Sequence, residues 1–116
     1  DDGGGMDGMN GVVCCDSPPA VSVGACQPRF SYTGTGQNFC SADNIMFGIW
    51  DDGGGMDGLN GPVCCSAGVS LGQNNCEDIT YTGAGPKMCP MGKYGAGVHD
   101  NGGGMDGVNG IICCDP

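Results

Sequence analysis

A chain of 116 residues carrying 26 glycines, 7 prolines and 10 cysteines is one small domain or a short array of repeats. Its net charge of −10, from 13 acidic residues against 3 Lys plus Arg, excludes a nucleic-acid surface, because phosphate contacts need basic side chains. Anionic membranes are disfavoured for the same reason, and no apolar run approaches the roughly 20 residues of a membrane span, so membrane insertion is not expected.

Taken in chain order, the first element is also the one that organises the rest. Asp1-Asp2-Gly-Gly-Gly-Met6-Asp7-Gly8-Met9-Asn10-Gly11-Val12-Val13-Cys14-Cys15 returns as Asp51 to Cys65 and again as Asp100 to Cys114, with 11 of the 15 positions identical in all three copies. The intervening stretches match as well. Ser31-Tyr32-Thr33-Gly34-Thr35-Gly36 before Cys40 parallels Thr80-Tyr81-Thr82-Gly83-Ala84-Gly85 before Cys89, and Cys26 parallels Cys76. The reading is a tandem repeat of about 50 residues in two and a third units: residues 1–50, residues 51–99, and a partial third at 100–116, forming one continuous domain.

Within each unit the pattern predicts β and irregular structure with little or no helix, because glycine interrupts every window that could carry a helical period. Asn10-Gly11, Asn60-Gly61 and Asn109-Gly110 precede short apolar runs and predict hairpin turns, since both residues tolerate positive φ. Phe30 to Thr33 and Ile79 to Thr82 alternate apolar and polar residues, the pattern of a half-buried strand. Asn44 to Trp50 reads as one buried strand.

A glycine-rich chain loses much backbone entropy on folding, and its large apolar side chains are too few to offset that by burial alone. The cysteines are expected to supply the difference. They form three adjacent doublets, Cys14-Cys15, Cys64-Cys65 and Cys113-Cys114, and four singles, Cys26, Cys40, Cys76 and Cys89. Neighbouring cysteines rarely bond to each other because the geometry is strained, so each doublet is expected to staple one strand to two other places. Pairing every single with a doublet member uses four doublet cysteines and leaves two. The expected outcome is five intrachain bridges. Bridging to a neighbouring subunit is the alternative, motivated by the unmatched third doublet. Structural zinc or copper sites fit poorly, because two thiolates reach one ion from C-x₂₋₄-C spacing rather than from adjacent positions. The cysteine density, an acidic start and the lack of Met at position 1 predict a secreted, extracellular product. The doublets in tandem resemble those of the galaxins, a family of extracellular-matrix repeat proteins. The likeness covers the doublets, does not reach the Gly-Gly-Gly-Met-Asp-Gly segment, and implies export.

The repeated motif also concentrates oxygen ligands. Asp2, Asp7 and Asn10, then Asp52, Asp57 and Asn60, then Asp100, Asp106 and Asn109 form a candidate Ca²⁺ ligand set, since a hard cation takes six to eight oxygens. The competing reading makes them turn formers, and the EF-hand order is absent. Met6, Met56 and Met105 at matching positions read as packing residues. No other cofactor is implied.

Nothing in the sequence predicts an enzyme. His99 is the single histidine and its counterpart in the preceding unit is Trp50, which suggests a packing role; no phosphate loop, dinucleotide fingerprint or zinc-protease helix occurs. The motif ends resemble the middle, where solenoids normally place atypical caps. The expectation is a secreted structural subunit of an extracellular filament or matrix, assembling with itself head to tail. The alternatives are a monomeric module binding Ca²⁺ or glycans, and a small defence protein such as an inhibitor or toxin.

Overall fold

A computed structural model describes residues 11–14, 22–27, 35–50, 61–80, 85–100 and 110–116. Among them are seven strands and no helix: β1 (Cys26–Gln27), β2 (Gly36–Phe39), β3 (Asn44–Trp50), β4 (Gly61–Ser66), β5 (Asn74–Thr80), β6 (Tyr94–Asp100) and β7 (Gly110–Asp115). They form a three-stranded sheet ordered β1-β4-β3 and a four-stranded sheet ordered β2-β6-β7-β5. All pairs are antiparallel. The chain is therefore a small β-rich, disulfide-rich fold.

The hairpins β3–β4 and β6–β7 are built alike. Ile45 faces Cys65 and Met46 faces Cys64 in the first; Tyr94 faces Cys114 and Gly95 faces Cys113 in the second. Both registers slip at the same relative place, between Met46 and Gly48 and between Gly95 and Gly97. The turn entering each hairpin is also shared. Asn44 N–H donates to Ser41 O at 3.1 Å and Lys93 N–H to Pro90 O at 3.0 Å. The residue before each donor is left-handed, Asp43 at φ 61° and Gly92 at φ 90°. Aspartate carries that conformation at a cost glycine avoids. Its carboxylate is tied down in compensation, accepting from Leu71 N–H at 2.9 Å and from the Ser70 hydroxyl at 3.3 Å.

Two sequence expectations change here. Gly61 and Gly110 are strand residues, opposite Trp50 and His99, and neither has positive φ. Asn60-Gly61 and Asn109-Gly110 are thus not the turns of two-residue hairpins, since the connections span residues 51–60 and 100–109; residues 51–60 and 101–109, and Asn10 of the first pair, lie outside the described residues. Asn44 to Trp50 is one strand as expected, but half-buried along its length rather than buried. The reason is position: β3 is the edge of its sheet. Of the two alternating segments, Ile79-Thr80 closes β5, while 28–34 and 81–84 lie outside the described residues.

The doublets occupy the middles of the sheets. Cys64 bonds to Cys40 and Cys65 to Cys26; Cys113 bonds to Cys89 and Cys114 to Cys76. Adjacent residues on a strand point to opposite faces, so each doublet staples both faces of its strand at once. In the second sheet Cys113 packs with Val98 and Ile111, with Met46, Ile79 and Cys89 against them, while Cys114 packs with Ala96 and Ile112 beside Phe39 and Tyr94. Among the described residues five of the ten buried hydrophobic residues are half-cystines, so this core is in good part covalent. The inner loops close 24 residues each and the outer ones 39 and 38. In the chain-entropy picture an inner bridge contributes about 3.5 kcal/mol. An outer one adds about 3, because the inner bridge has already shortened its loop.

Among the described residues four bridges form, against the five expected for the chain. Cys14 is a free, exposed thiol, and Cys15 lies outside the described residues. The second and third doublets each close onto singles upstream of them. The covalent loops 26–65 and 76–114 run across the sequence boundaries at 50/51 and 99/100 respectively.

One strand from the N-terminal part of the chain lies in the four-stranded sheet. β2, from the first sequence repeat, pairs along β6 of the second, with Asn38 facing Val98 and Phe39 facing Gly97, and Cys40 N–H continues the ladder to Ala96 O at 2.7 Å. Gly97 makes room for it: a Cβ there would collide with the Asn38 carbonyl oxygen and come within 2.8 Å of Phe39 Cα. Gly48, at the same place in the first hairpin, would bring its Cβ only into ordinary contact with Val63 at 3.6 Å. Gly97→Ala is therefore expected to destabilise the fold by about 2 kcal/mol through overpacking. Gly48→Ala should stay within about 0.5 kcal/mol of the parent. Urea denaturation of the two variants, bridges intact, measures the difference.

Candidate functional site

Of the candidate calcium ligands, Asp2, Asp7, Asn10, Asp52, Asp57, Asn60, Asp106 and Asn109 lie outside the described residues. Asp100 is described. It ends β6 opposite Gly36 and is 5% exposed. Among the described residues no three His, Cys, Asp or Glu side chains gather into a group that could hold a metal. Met6, Met56 and Met105 also fall outside the described set.

Two polar clusters do form, both on the four-stranded sheet. In the first, His99 Nδ1 lies 3.0 Å from Asp78 Oδ2, and Gln37 Nε2 donates to Asp78 Oδ1 at 3.0 Å. His99 and Asp78 stand on β6 and β5, with β7 between them, and the β7 residue opposite His99 is Gly110. With no side chain on Gly110, the imidazole can reach over the middle strand. The cluster therefore ties β2, β6 and β5 together across one face. The sequence reading of His99 as an apolar-type packing residue missed this partner, since nothing in the spacing of residues 78 and 99 marks them as neighbours. The counterpart Trp50 lies opposite Gly61 in the same way.

The second cluster gathers at the start of β5. Lys93 Nζ donates to Asn75 O at 2.6 Å and lies 3.0 Å from Asp115 Oδ1 and 3.8 Å from Glu77 Oε1. Asn75, left-handed at φ 44°, donates from Nδ2 to Asp115 Oδ2 at 2.9 Å. These contacts hold the irregular start of β5, where the register to β7 shifts between Asn74 and Glu77. Nearby, Tyr94 donates its hydroxyl to Gly72 O at 2.8 Å. Burial, and then the negative charge of Asp43, push its phenol above the usual range.

An open cavity of about 270 Å³ lies between the sheets. Met46 and Ile49 of β3 line one side and Gly95 and Ile111 the other, with Val12, Val13 and residues 86–89 at its rim. Its walls are mainly apolar, and neither polar cluster lines it. The second cluster and the cavity are separate features rather than parts of one reaction centre.

No family model, curated protein or solved structure matches the chain.

Hydrogen bonds from Asn75 and then from Lys93 lower the Asp115 pKa. A carboxylate depressed in the folded state adds stability that is fully present above its unfolded pKa, ordinarily near 3.8. That contribution is lost as pH falls through the lower folded value. Asp115→Asn should consequently melt below the parent at pH 6, and the gap should narrow as the pH is taken below 3.8. Thermal melts across that range test the sign; a gap that widens in acid contradicts it.

Proposed function

We propose that the chain is a structural module of the extracellular space, a disulfide-stapled subunit of a filament or matrix that assembles head to tail with its own kind. The observation that carries this reading is the hand-over of β2, by which a strand of the first sequence repeat completes the sheet of the second. Repeats joined in this way interlock instead of hanging as separate beads, and an interlocking contact that repeats without closing a ring gives an open filament. Exposed Val12 and Val13, in a segment that is strand in its two other copies, leave apolar surface available for such a contact.

The covalent framework supports the compartment. Four disulfides in a small chain fit an oxidising, extracellular setting, where glutathione does not reduce them. Among the described residues no helix is long and apolar enough to cross a membrane. A scaffold role also suits the polar clusters, whose contacts link strands to one another. The acidic surface, with net charge −10, keeps such a subunit soluble until it assembles.

Light scattering after size exclusion, run on non-reduced protein over a wide concentration range, is the test. Masses rising in whole multiples of the subunit, with unbranched threads in negative-stain micrographs, are the expected result. A single monomeric mass at every concentration overturns the proposal.

A further inference from the structure

The two outer bridges hold strands that are otherwise fastened very unequally. Cys26 faces Cys65 across β1 and β4, and Cys76 and Cys114 join β5 to β7 at the matching place. In both, the upstream cysteine is exposed on an edge strand, while Cys65 and Cys114 are buried. β5 is held by much besides its bridge. It runs along β7 for seven residues and packs Ile79 against Val98, Ile111 and Cys113. Lys93 pins its start by reaching Asn75 O, Glu77 and Asp115, Asn75 donates to Asp115, and Asp78 accepts from Gln37 and meets His99. β1 has two residues, both exposed. Its ladder is continued by Gly24 N–H to Ser66 O at 2.8 Å and Ser66 N–H to Ala25 O at 3.0 Å. Aligned on the cysteines, the places of Asn75, Glu77, Lys93 and Asp115 are taken by Ala25, Gln27, Asn44 and Ser66, none of them charged. Without its bridge β1 keeps a short ladder and no buried side chain.

We propose that Cys26–Cys65 is a thiol–disulfide exchange site, which a small thiol opens by bonding to Cys26 and so frees β1 from its sheet. The incoming thiol gives up its proton and attacks the exposed Cys26 sulfur as a thiolate. The bond between Cys26 and Cys65 breaks, a mixed disulfide forms on Cys26, and the Cys65 sulfur leaves as a thiolate that takes up a proton. One disulfide replaces another, with no net oxidation. Attack is open at Cys76 too, so what separates the two outer bridges is reclosure. The ties on β5 keep Cys76 beside Cys114, whose released sulfur attacks back and expels the small thiol. Once β1 lifts away, Cys26 is tethered to Cys65 by the chain running to Cys40 and its bridge to Cys64. A flexible tether of that kind gives an effective concentration on the order of millimolar, which a small thiol at a similar concentration matches. The inner bridges are shielded at the first step, since Cys40, Cys64 and Cys113 are buried and Cys89 is half-buried. The product has an uncovered β4 edge and a new thiol on that strand, with the inner bridges and Cys76–Cys114 still closed.

The test uses the full oxidised chain, its free thiols first blocked with iodoacetamide. Reduced glutathione is added over about 1 to 10 mM, new thiols are trapped with N-ethylmaleimide, and the sites are read by peptide mapping. The expected first product carries glutathione on Cys26 and maleimide on Cys65, with Cys76–Cys114 opened about tenfold less. Hydrogen exchange on that product should show the Ser66 amide losing protection while the amides of β7 keep theirs. Lys93→Ala should raise the opening of Cys76–Cys114 several-fold and leave that of Cys26–Cys65 unchanged. Equal opening of the two outer bridges overturns the proposal, as does an inner bridge opening first, glutathione found on Cys65, or no effect of Lys93→Ala. A chain whose bridges all resist, or all open together, overturns it as well.

Discussion

The fold depends on adjacent cysteines at the centre of a strand. A doublet in extended backbone sends one sulfur to each face of the sheet. Cys64-Cys65 and Cys113-Cys114 use this to anchor upstream chain on both sides of β4 and β7. In a sequence with 26 glycines the entropy of ordering the backbone is high. Among the described residues the buried apolar set outside the half-cystines is small: Ala67, Ala96, Val98, Ile111 and Ile112, with Pro62. The bridges act on the other side of the balance, by shrinking the unfolded ensemble. Once they are closed, short ladders and small side chains suffice to fix the register.

This arrangement explains why the sheets tolerate, and in one place require, residues that usually weaken strands. Gly97 loses the packing a side chain would give, yet it lets β2 lie against β6 and so adds an N-terminal strand to the four-stranded sheet. Gly110 leaves the gap over which His99 meets Asp78. The polar clusters then hold the positions that disulfides do not: the outer strand β2 through Gln37, and the irregular start of β5 through Lys93 and Asn75.

Much of this was legible in the sequence. Three copies of one motif, four single cysteines and the strain between neighbouring thiols were enough to anticipate singles pairing with doublets, and glycine frequency ruled out helices. The phase of the pairing was not legible. Spacing alone is equally compatible with each doublet closing the segment before it or the one after, and only the strand register of β3 on β4 and of β6 on β7 selects the former. That choice closes Cys113-Cys114 onto Cys89 and Cys76, where the sequence had left the third doublet unmatched. The His99–Asp78–Gln37 cluster was hidden for a related reason, since it depends on which strands lie side by side. The Asn-Gly pairs misled because their reading assumed a two-residue turn, whereas the strands they precede pair across a much longer connection.

The most direct test of the central claim is hydrogen exchange on β4 and β7 before and after reduction of the bridges under otherwise native conditions. If the half-cystines hold the sheets, amide protection at Cys64, Cys65, Cys113 and Cys114 and at their ladder neighbours falls to that of an unfolded chain once the sulfurs are reduced. Protection that survives with all thiols reduced and alkylated would mean that packing alone sustains the fold, and would contradict the account.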